Sequence, residues 1–513
     1  MNTKKIQSSR IILNTFGAII TFVALLPLIG LVIEGIYGFS NGNLNLGSDG
    51  LKQIKGTLTL VSLTGLFGGT LGTINGWLLA NCRFYGRKTL RVAQLLPLAT
   101  PAYLLSATLI DLGSINSIQI YGMNWAVIIM SMTTYPYVFL LSTESFAISG
   151  RQQLEASRSL GTGPWSSFRR ISLPMAIPAI GAGVALIGME VVNELGAVQL
   201  LNVPSLSAGI VENWITENNP SGAIALALIA LLMVMTLVAY ERNVRNKSRR
   251  WSEGIAGGEA PSWELKGIRA FSSQILAIFP PLFTLGIPIV WAITNIELIQ
   301  KGFDSELILL TFRSLSLGII AALISVLAAL ILALAKRWNP SKWMQNITFL
   351  AGIGYAVPGV VLALALLNFS GNPFNLAPIL LLLWGYSDRF LAVAKGGLDA
   401  AFERFPSNLD EAATSLGCNW FEVLKRVHLP LLKGPLSVGF LLVFVDTLKE
   451  LPLTFVLRPF DFDTLSVRVF QYAGDERMAE SILPSLIILS LGLVASIALI
   501  PGLDHSEKPK QVN

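Results

Sequence analysis

Cysteine and histidine are nearly absent from this chain, which contains two of each in 513 residues. Neither Cys82 nor Cys418 lies in a CxxC or other metal-ligand spacing, so the sequence provides neither a disulfide framework nor a soft-metal site. The chain also lacks a GxxxxGKS or GxxxxGKT phosphate-binding loop, an HExxH zinc helix and an aspartate-rich calcium loop. The sequence therefore predicts a protein that is not an enzyme, holds no cofactor of its own and does not hydrolyse ATP.

Charged residues are scarce as well, at 13% of the chain compared with about 25% in soluble domains. Hydrophobic residues make up 53% and the mean hydropathy is +0.62, which indicates an all-α polytopic membrane protein. A helix needs about 20 apolar residues to cross a bilayer, and helices satisfy their backbone polar groups internally. About twelve transmembrane helices are predicted, near residues 11–33, 57–80, 92–110, 124–143, 174–193, 222–240, 271–296, 311–335, 347–368, 376–394, 431–448 and 482–503.

Lysine and arginine alternate between the predicted loops of the first half, as expected when cytosolic loops retain positive charge. The loops 111–124 and 195–221 contain neither residue type, so both are predicted to be external. Both termini are then expected on the cytosolic side of a cytoplasmic (inner) membrane. The net charge of +6 and the pI near 9.2 follow from this asymmetry, and no nucleic-acid partner is predicted. The second half is less regular, since its last external loop would carry Arg458, Arg468 and Arg477.

Two polar segments between apolar runs are copies of one pattern. The first repeat segment is EASRSLGTGPWSSFRRISLP, residues 155–174, and the second is EAATSLGCNWFEVLKRVHLP, residues 411–430, at a constant offset of 256 residues. Such an internal repeat indicates a duplicated architecture. His428 occupies the position of Ser172 in the repeat, which predicts a tolerant helix-boundary position rather than a catalytic base.

The duplication predicts two six-helix halves, residues 1–240 and 271–513, joined by a cytosolic linker, residues 241–270. The linker contains seven Lys or Arg together with Gly and Pro, a composition that cannot cross lipid. Because each half has an even number of helices, the halves are predicted to be parallel repeats related by an axis along the membrane normal. The repeat segments would lie in cytosolic loops near residues 151–174 and 407–430.

The repeat segments also have a local structural interpretation. Gly161 and Gly417 stand where a short helix needs a C-terminal residue that tolerates positive φ. Glu155 and Glu411 can complement the positive N-terminus of that helix. The residues that follow the glutamates are small and would let a partner surface approach closely.

This pattern resembles the EAA loop of permease subunits of binding-protein-dependent ABC importers, and the resemblance covers nearly the whole chain. In that family the loop forms a short coupling helix that docks in a groove of the ATP-binding subunit. The first copy departs from the pattern only in having a serine, also small, in place of the second alanine. By resemblance, the docking contact is carried by Glu155, Ala156, Ser157, Gly161, Glu411, Ala412, Ala413 and Gly417.

The resemblance also implies partners and a mechanism. It implies two copies of a separate ATP-binding subunit, which would consume the ATP, and an external or periplasmic substrate-binding protein. Closure of the ATP-binding subunits would move both coupling helices and rock the two halves, giving alternating access to a central pathway. Two halves fused in one chain are similar to the ferric iron importer branch.

A second resemblance concerns the substrate. The stretch DTLKELPLTFVLRPFDFDTLSVRVF, residues 446–470, is similar to the segment after the second coupling loop of ferric iron permeases. Ferric iron delivered by an external binding protein is therefore the predicted substrate, with thiamine, phosphonate, sulfate or polyamine as alternatives from the same fold. An ion-coupled secondary transporter would also have twelve helices and parallel halves, but it does not account for the two repeat segments.

Polar residues at the outer ends of two symmetry-related helices are predicted to line the substrate pathway, because ionisable groups are costly in lipid and usually face a cavity. A hard trivalent cation prefers oxygen ligands, although no firm metal site is assigned. Alternatively, Lys449 pairs with a neighbouring carboxylate and holds the outer gate. Asp388 and Arg389 are expected to be packing partners or snorkelling ends rather than conduit residues. The predicted pathway residues are Glu190, Asn193, Glu194, Asp446, Lys449 and Glu450.

Overall fold

A computed structural model of the chain is almost entirely helical, which confirms the all-α polytopic fold class. It describes residues 2–42, 44–148, 155, 157, 159–252, 263–301, 303–370, 376–406 and 408–504.

The predicted transmembrane runs correspond to helices, but not all of them are straight. Within the described residues, seven helices are long and apolar enough to cross a membrane, and the number is ten if each of three bent helix pairs counts as one span. Helices Pro378–Arg404 and Met478–Asp504 cover the two remaining predicted runs. The bends measure 88°, 43° and 104°. Pro101, Pro136 and Pro358 lie at these breaks, where the missing N–H of proline interrupts helical hydrogen bonding.

The chain forms two compact units by its internal contacts. Unit one comprises residues 1–45 and 304–468, and unit two comprises residues 46–303 and 469–513. These units differ from the predicted halves, because the first apolar helix of each half packs with the core of the other half, and the last helix of the second half packs with the core of the first. The boundaries of the two predicted halves, residues 1–240 and 271–513, therefore stay a prediction.

The first helix of the chain illustrates this packing in unit one. Helix Asn2–Ser40 packs against helices Ser305–Trp338 and Gly359–Ser370, and Thr21 donates a hydrogen bond to the carbonyl of Ile347 at 3.3 Å. The described helices of unit one are Asn2–Ser40, Ser305–Trp338, Lys342–Leu350, Ile353–Tyr355, Gly359–Ser370, Pro378–Arg404, Asn408–Ser415, Trp420–Val423, Leu424–His428, Leu429–Lys449 and Pro452–Leu457; helix Leu465–Gly474 crosses the unit boundary.

Unit two has a buried apolar core that includes Leu105, Met130, Val138 and Ile187. Trp291, in the first helical run of the second half, donates its indole N–H to Asp111 at 2.6 Å within this unit. The described helices are Gly50–Asn81, Arg87–Ala93, Leu96–Ala99, Ala102–Ile115, Met123–Thr134, Pro136–Ile148, Pro164–Ser167, Phe168–Ser172, Leu173–Asn193, Gly196–Leu200, Leu206–Val211, Glu212–Thr216, Pro220–Ser252, Ile268–Pro281, Leu282–Gly286, Ile287–Thr294, Ile296–Lys301 and Met478–Asp504, with strands Cys82–Arg83 and Trp263–Glu264.

Side-chain caps fix several helix starts. Asp304 accepts a hydrogen bond from the N–H of Leu307 at 2.8 Å, at the start of helix Ser305–Trp338. Asn419 and Glu422 form a reciprocal capping box within the second repeat segment. Helix Pro220–Ser252 continues into the first part of the predicted linker, and residues 253–262 lie outside the described residues.

Candidate functional site

The second repeat segment starts inside a short helix, Asn408–Ser415, which is followed by a left-handed glycine. Gly417 has φ +90°. The N–H of Cys418 donates to the carbonyl of Ala413 at 3.1 Å, and the N–H of Gly417 donates to Thr414 at 3.0 Å. These two bonds form a Schellman motif, which satisfies carbonyls left free at the helix end. The backbone conformation predicted for this glycine is confirmed.

The first repeat segment repeats the same ending. Gly161 has φ +74°, and the N–H of Thr162 donates to the carbonyl of Ser157 at 3.1 Å, the bond equivalent to the one between Cys418 and Ala413. Ala156, one of the predicted docking residues, lies outside the described residues, as do residues 149–154 and Arg158.

The two segments expose equivalent side chains. Glu155 and Glu411 are exposed, and Ala412 is exposed too, whereas Ser157 and Ala413 are only 7% and 8% exposed and face inward. The predicted docking residues therefore divide into an outward set and an inward set that supports the segment. Ser157 and Ala413 are not available to a partner surface in this conformation.

Apolar side chains that the sequence prediction missed complete the exposed surface. Leu160 and Leu416 are 82% and 86% exposed, and Trp165 and Phe421 are 57% and 58% exposed. Each pair is related by the offset of 256 residues. Large apolar residues that recur at matching exposed positions of polar segments indicate a protein-binding surface. That recurrence was the sequence signal that could have identified them.

The two segments are held in place by different chemistry. In the first, the hydroxyl of Ser167 lies 2.8 Å from that of Ser157 and 3.0 Å from that of Thr162. In the second, Asp410 lies 2.7 Å from Nε2 of His428 and 2.8 Å from Nε of Arg337. Equivalent segments in the two halves are therefore held by neutral and by ionic contacts, respectively.

His428 is a buried structural partner. Its side chain is 2% exposed and lies edge-on to the ring of Phe402 at 5.4 Å between centroids. It ends a π-helical turn inside the continuous helical run Trp420–Lys449, so it does not lie at a helix end as predicted, and its packing and its bond to Asp410 make it less tolerant than expected. Arg337 completes the network by donating to the carbonyls of Phe405 at 2.9 Å and Pro406 at 2.8 Å.

Asp410, the carboxylate of the ionic network, lines a cavity of about 650 Å³ beside the segment. Burial raises the pKa of this carboxyl, but the hydrogen bonds and charges of His428 and Arg337 outweigh burial, so the pKa lies below its usual value. A carboxyl whose folded-state pKa is lowered stabilises the fold fully above its unfolded pKa. That stabilisation is lost as the pH falls through the lowered pKa.

Replacing Asp410 with asparagine is expected to destabilise the second segment by about 1.5–3 kcal/mol, because charge-assisted hydrogen bonds to two partners are weakened. Thermal unfolding of the purified protein at neutral pH measures the loss, and the difference from wild type should shrink towards acidic pH. Glu403→Gln, an exposed residue near the same cavity, is the matched control. An equal loss at all pH values would contradict the ionic role.

Each repeat segment continues directly into a long helix. Helical residues run without a break over Pro164–Asn193 and over Trp420–Lys449. Each includes a π-helical turn at the same repeat position, Phe168–Ser172 and Leu424–His428. A 30-residue helix extends about 45 Å at 1.5 Å per residue. One continuous run of helix therefore connects each segment to the far end of that run.

The far ends of these helices break at a glutamate in both halves. Glu194 and Glu450 have extended backbones, with ψ 126° and ψ 121°. Oε1 of Glu194 accepts a bond from the N–H of Ala197 at 2.8 Å, and Oε1 of Glu450 accepts one from the N–H of Leu453 at 3.0 Å. Each glutamate thus satisfies an N–H group in the first turn of the short helix that follows it.

The break at Glu450 is buried and contains more partners. The carboxylate is 5% exposed and also accepts bonds from the N–H of Thr454 at 3.1 Å and its hydroxyl at 2.9 Å. Nε of Arg389 lies 3.9 Å away, and the same guanidinium donates to the carbonyl of Val357 at 2.8 Å. Arg389 therefore links the break at Glu450 to the proline break before helix Gly359–Ser370.

Asp388 and Arg389 were expected to be either packing partners or snorkelling ends, and the structure places them as packing residues. They are 4% and 7% exposed, so neither side chain snorkels to a membrane surface. Both carboxylate oxygens of Asp388 lack a hydrogen-bond partner within the described part of the chain. The residues 256 positions earlier are Met132 and Thr133, so this charge pair belongs to the second half alone.

The remaining predicted pathway residues lie close to the two breaks. Lys449 forms an ion pair with Asp446 at 2.9 Å, which is the pairing that the gate interpretation expected. Asn193 is 9% exposed, whereas Glu190 and Glu194 are half-buried. Among the described residues, no group of three or more His, Cys, Asp or Glu side chains is arranged to hold a metal ion. A pathway role for these six residues stays a prediction.

Comparison with known families identifies the architecture. A profile described as "Binding-protein-dependent transport system inner membrane component" matches residues 68–249 and again residues 325–499. The chain belongs to this family. Its two matches contain the two repeat segments and the helices that follow them, so the duplication inferred from the 256-residue offset is confirmed. This permease is a multi-pass inner-membrane protein.

Three relatives illustrate the range of transport systems within the family. The permease is 28% identical over 83% of its length to "Fe(3+)-transport system permease protein FbpB 2" of Haemophilus influenzae, of which it covers 85%. It is 32% identical over 28% of its length to "Sulfate transport system permease protein CysT" of Escherichia coli, covering 56% of that protein. It is 27% identical over 35% of its length to "Molybdenum transport system permease protein ModB" of Escherichia coli, covering 86%.

Proposed function

We propose that this permease imports ferric iron. An external binding protein delivers the iron, and separate ATP-binding subunits provide the energy for its transport across the membrane. Support comes from the likeness to the Fe(3+)-transport permease, which extends across both halves, whereas the sulfate and molybdenum permeases match about one third of the chain. The carboxylates at the helix breaks are hard oxygen donors suited to a trivalent cation.

The proposed coupling route starts at the repeat segments. Two copies of an ATP-binding subunit contact them, one at each segment, and Leu160 and Leu416 provide apolar anchors beside the exposed glutamates. The observation that carries the proposal is the continuous helix from each segment to a glutamate break. Movement of a segment on ATP binding displaces the break, which changes access to the pathway. The permease chain itself holds no cofactor and does not hydrolyse ATP.

The two glutamates have different proposed roles. Glu450 is buried with its oxygens engaged by backbone and hydroxyl donors, so it serves mainly to hold the outer break. Glu194 is half-buried and is the better candidate for contact with the cation. Alternating access then requires that the cation contact differ between the two states of the transporter.

The substrate is tested by uptake in vesicles that contain the permease, the ATP-binding subunits and the binding protein. Saturable, ATP-dependent uptake of radiolabelled ferric iron is expected, with no saturable uptake of thiamine, sulfate, molybdate or putrescine. Uptake of one of these other substrates without iron would overturn the iron assignment and leave the family unchanged.

The proposed topology places both termini, the linker and both repeat segments in the cytosol. Single cysteines at Ser252, Asn218 and Asp475 test this orientation in a Cys418→Ser background, in which the remaining Cys82 is buried. An impermeant thiol reagent added to intact cells is expected to label Asn218→Cys and Asp475→Cys but not Ser252→Cys. Labelling of Ser252→Cys before the cells are opened would contradict the orientation.

A further inference from the structure

We propose that the end of the linker, residues 263–265, is a brace that positions the first repeat segment for its partner. This proposal rests on the docking role proposed above and adds a residue, Trp263, that no resemblance or comparison assigns to it. The brace acts on one segment only, so the two docking sites of the permease are supported differently.

The brace is attached to the first half by backbone hydrogen bonds. Strand Trp263–Glu264 pairs in parallel with Cys82–Arg83, which directly follow helix Gly50–Asn81. The N–H of Leu265 donates to the carbonyl of Arg83 at 2.9 Å. Trp263 and Leu265 are partly buried while Glu264 and Lys266 are exposed, which is the alternation of a strand with one packed face.

The packed face of the strand leads to the repeat segment through aromatic rings. The ring of Trp263 lies 6.3 Å from that of Trp77, which lies 5.0 Å from Phe168. Phe168 in turn lies 5.3 Å from Trp165, one of the exposed apolar residues of the first segment. Ring separations of 4.5–7 Å are typical of favourable aromatic contacts. Trp77 and Phe168 are each 5% exposed, so this chain of rings is packed at its centre.

The strand is also continuous with the start of the second half. Helix Ile268–Pro281 follows it directly, and Gln274 donates to the carbonyl of Tyr85 at 2.9 Å. The same helix accepts a hydrogen bond at the carbonyl of Ala277 from Gln94 at 2.5 Å. The brace is therefore fixed on both sides within unit two, and it can resist displacement of the aromatic rings.

The second repeat segment is supported in another way. The chain has one linker, and the strand pair just described is the only one in the described ranges. The second segment instead relies on Asp410, His428 and Arg337. Loss of the Trp263 ring should consequently affect the first segment and spare the second.

The test uses Trp263→Ala in the complete transport complex, with cysteine probes at Ser159 or Ser415 in the Cys418→Ser background. These two serines are equivalent by the 256-residue offset, and both are exposed. A spin label on each probe reports local mobility, and disulfide or maleimide crosslinking reports contact with the ATP-binding subunit. Trp263→Phe keeps an aromatic ring, and Glu264→Ala changes the exposed neighbour in the same strand.

In the Trp263→Ala variant, we expect the spin label at Ser159→Cys to become more mobile. The crosslinking rate of Ser159→Cys should fall by about two- to tenfold, which is the ratio that corresponds to the free energy of one aromatic contact. The label at Ser415→Cys should be unchanged, Trp263→Phe should restore most of the rate, and Glu264→Ala should behave as wild type. Uptake per ATP hydrolysed should fall in Trp263→Ala.

Two results would overturn the brace. One is unchanged mobility at Ser159→Cys in the Trp263→Ala variant, and the other is an equal change at both probes, which indicates general destabilisation. The spin-label measurement is therefore also made on the full-length permease without the ATP-binding subunits, where it does not depend on any partner. Failure of the docking proposal is seen separately, as a lack of crosslinking from Ser159→Cys when Trp263 is intact.

Discussion

Replacing Gly161 and Gly417 with proline is expected to abolish ATP-driven uptake while the permease still inserts in the membrane. Both glycines have positive φ, +74° and +90°, whereas the proline ring fixes φ near −65°. The Schellman ending is therefore strongly disfavoured. A penalty of about 3 kcal/mol corresponds to roughly 100-fold fewer correctly formed segments. Radiolabelled uptake and ATP hydrolysis by the reconstituted complex measure the effect.

Asparagine provides the matched control, because it tolerates the left-handed region better than other side chains. Gly161→Asn with Gly417→Asn should retain most uptake. Gly163→Ala tests a nearby glycine with an ordinary φ of −72° and should also be tolerated. Normal uptake together with normal ATPase stimulation in the double proline variant would contradict the role of the segment endings.

Removing the guanidinium of Arg389 is expected to destabilise the second half by about 3–5 kcal/mol, the cost of leaving a buried charge without its partner. In Arg389→Gln, the buried carboxylate of Glu450 loses the cation 3.9 Å away, and the carbonyl of Val357 loses its charged donor. Thermal unfolding in detergent and the amount of protein in the membrane measure the loss, and uptake should fall with it.

A double-mutant cycle separates this pair from its surroundings. Combining Arg389→Gln with Glu450→Gln removes both charges and should recover a substantial part of the stability lost in Arg389→Gln. Glu194→Gln changes the equivalent glutamate of the first half, where Thr133 stands 256 positions before Arg389. It should leave thermal stability nearly unchanged. Additive losses in the double variant would show that Arg389 and Glu450 do not interact.

Local features of the permease could be predicted because neighbouring residues determine them. The spacing of the repeat placed Gly161 and Gly417 at helix ends, and both adopt the expected left-handed backbone. The apolar runs predicted the positions of the helices, because helix formation also depends on residues that are close in sequence. The helix bends lie at prolines such as Pro101 and Pro358. Whether Ser157 faced inward or outward was not predictable, because both faces of such a short helix carry small residues.

Long-range partners could not be predicted from the sequence. An apolar run carries no information about which half it packs against, so the association of residues 1–45 with residues 304–468 was missed. The proximity of Arg389 to Glu450 and of Asp410 to His428 depends on tertiary packing. Glu450 was identified as a polar residue near a helix end, but its burial and its capping bonds depend on a helix break that its sequence neighbours do not reveal.

The most direct test of the account is ATP hydrolysis and uptake in liposomes that contain the purified permease, with and without the ATP-binding subunits and the loaded binding protein. We expect the permease alone to show neither activity. Adding the ATP-binding subunits and the iron-loaded binding protein should produce ATP hydrolysis together with iron uptake, and an imposed ion gradient should not replace ATP. Uptake by the permease alone under a proton or sodium gradient would contradict the account and favour a secondary transporter.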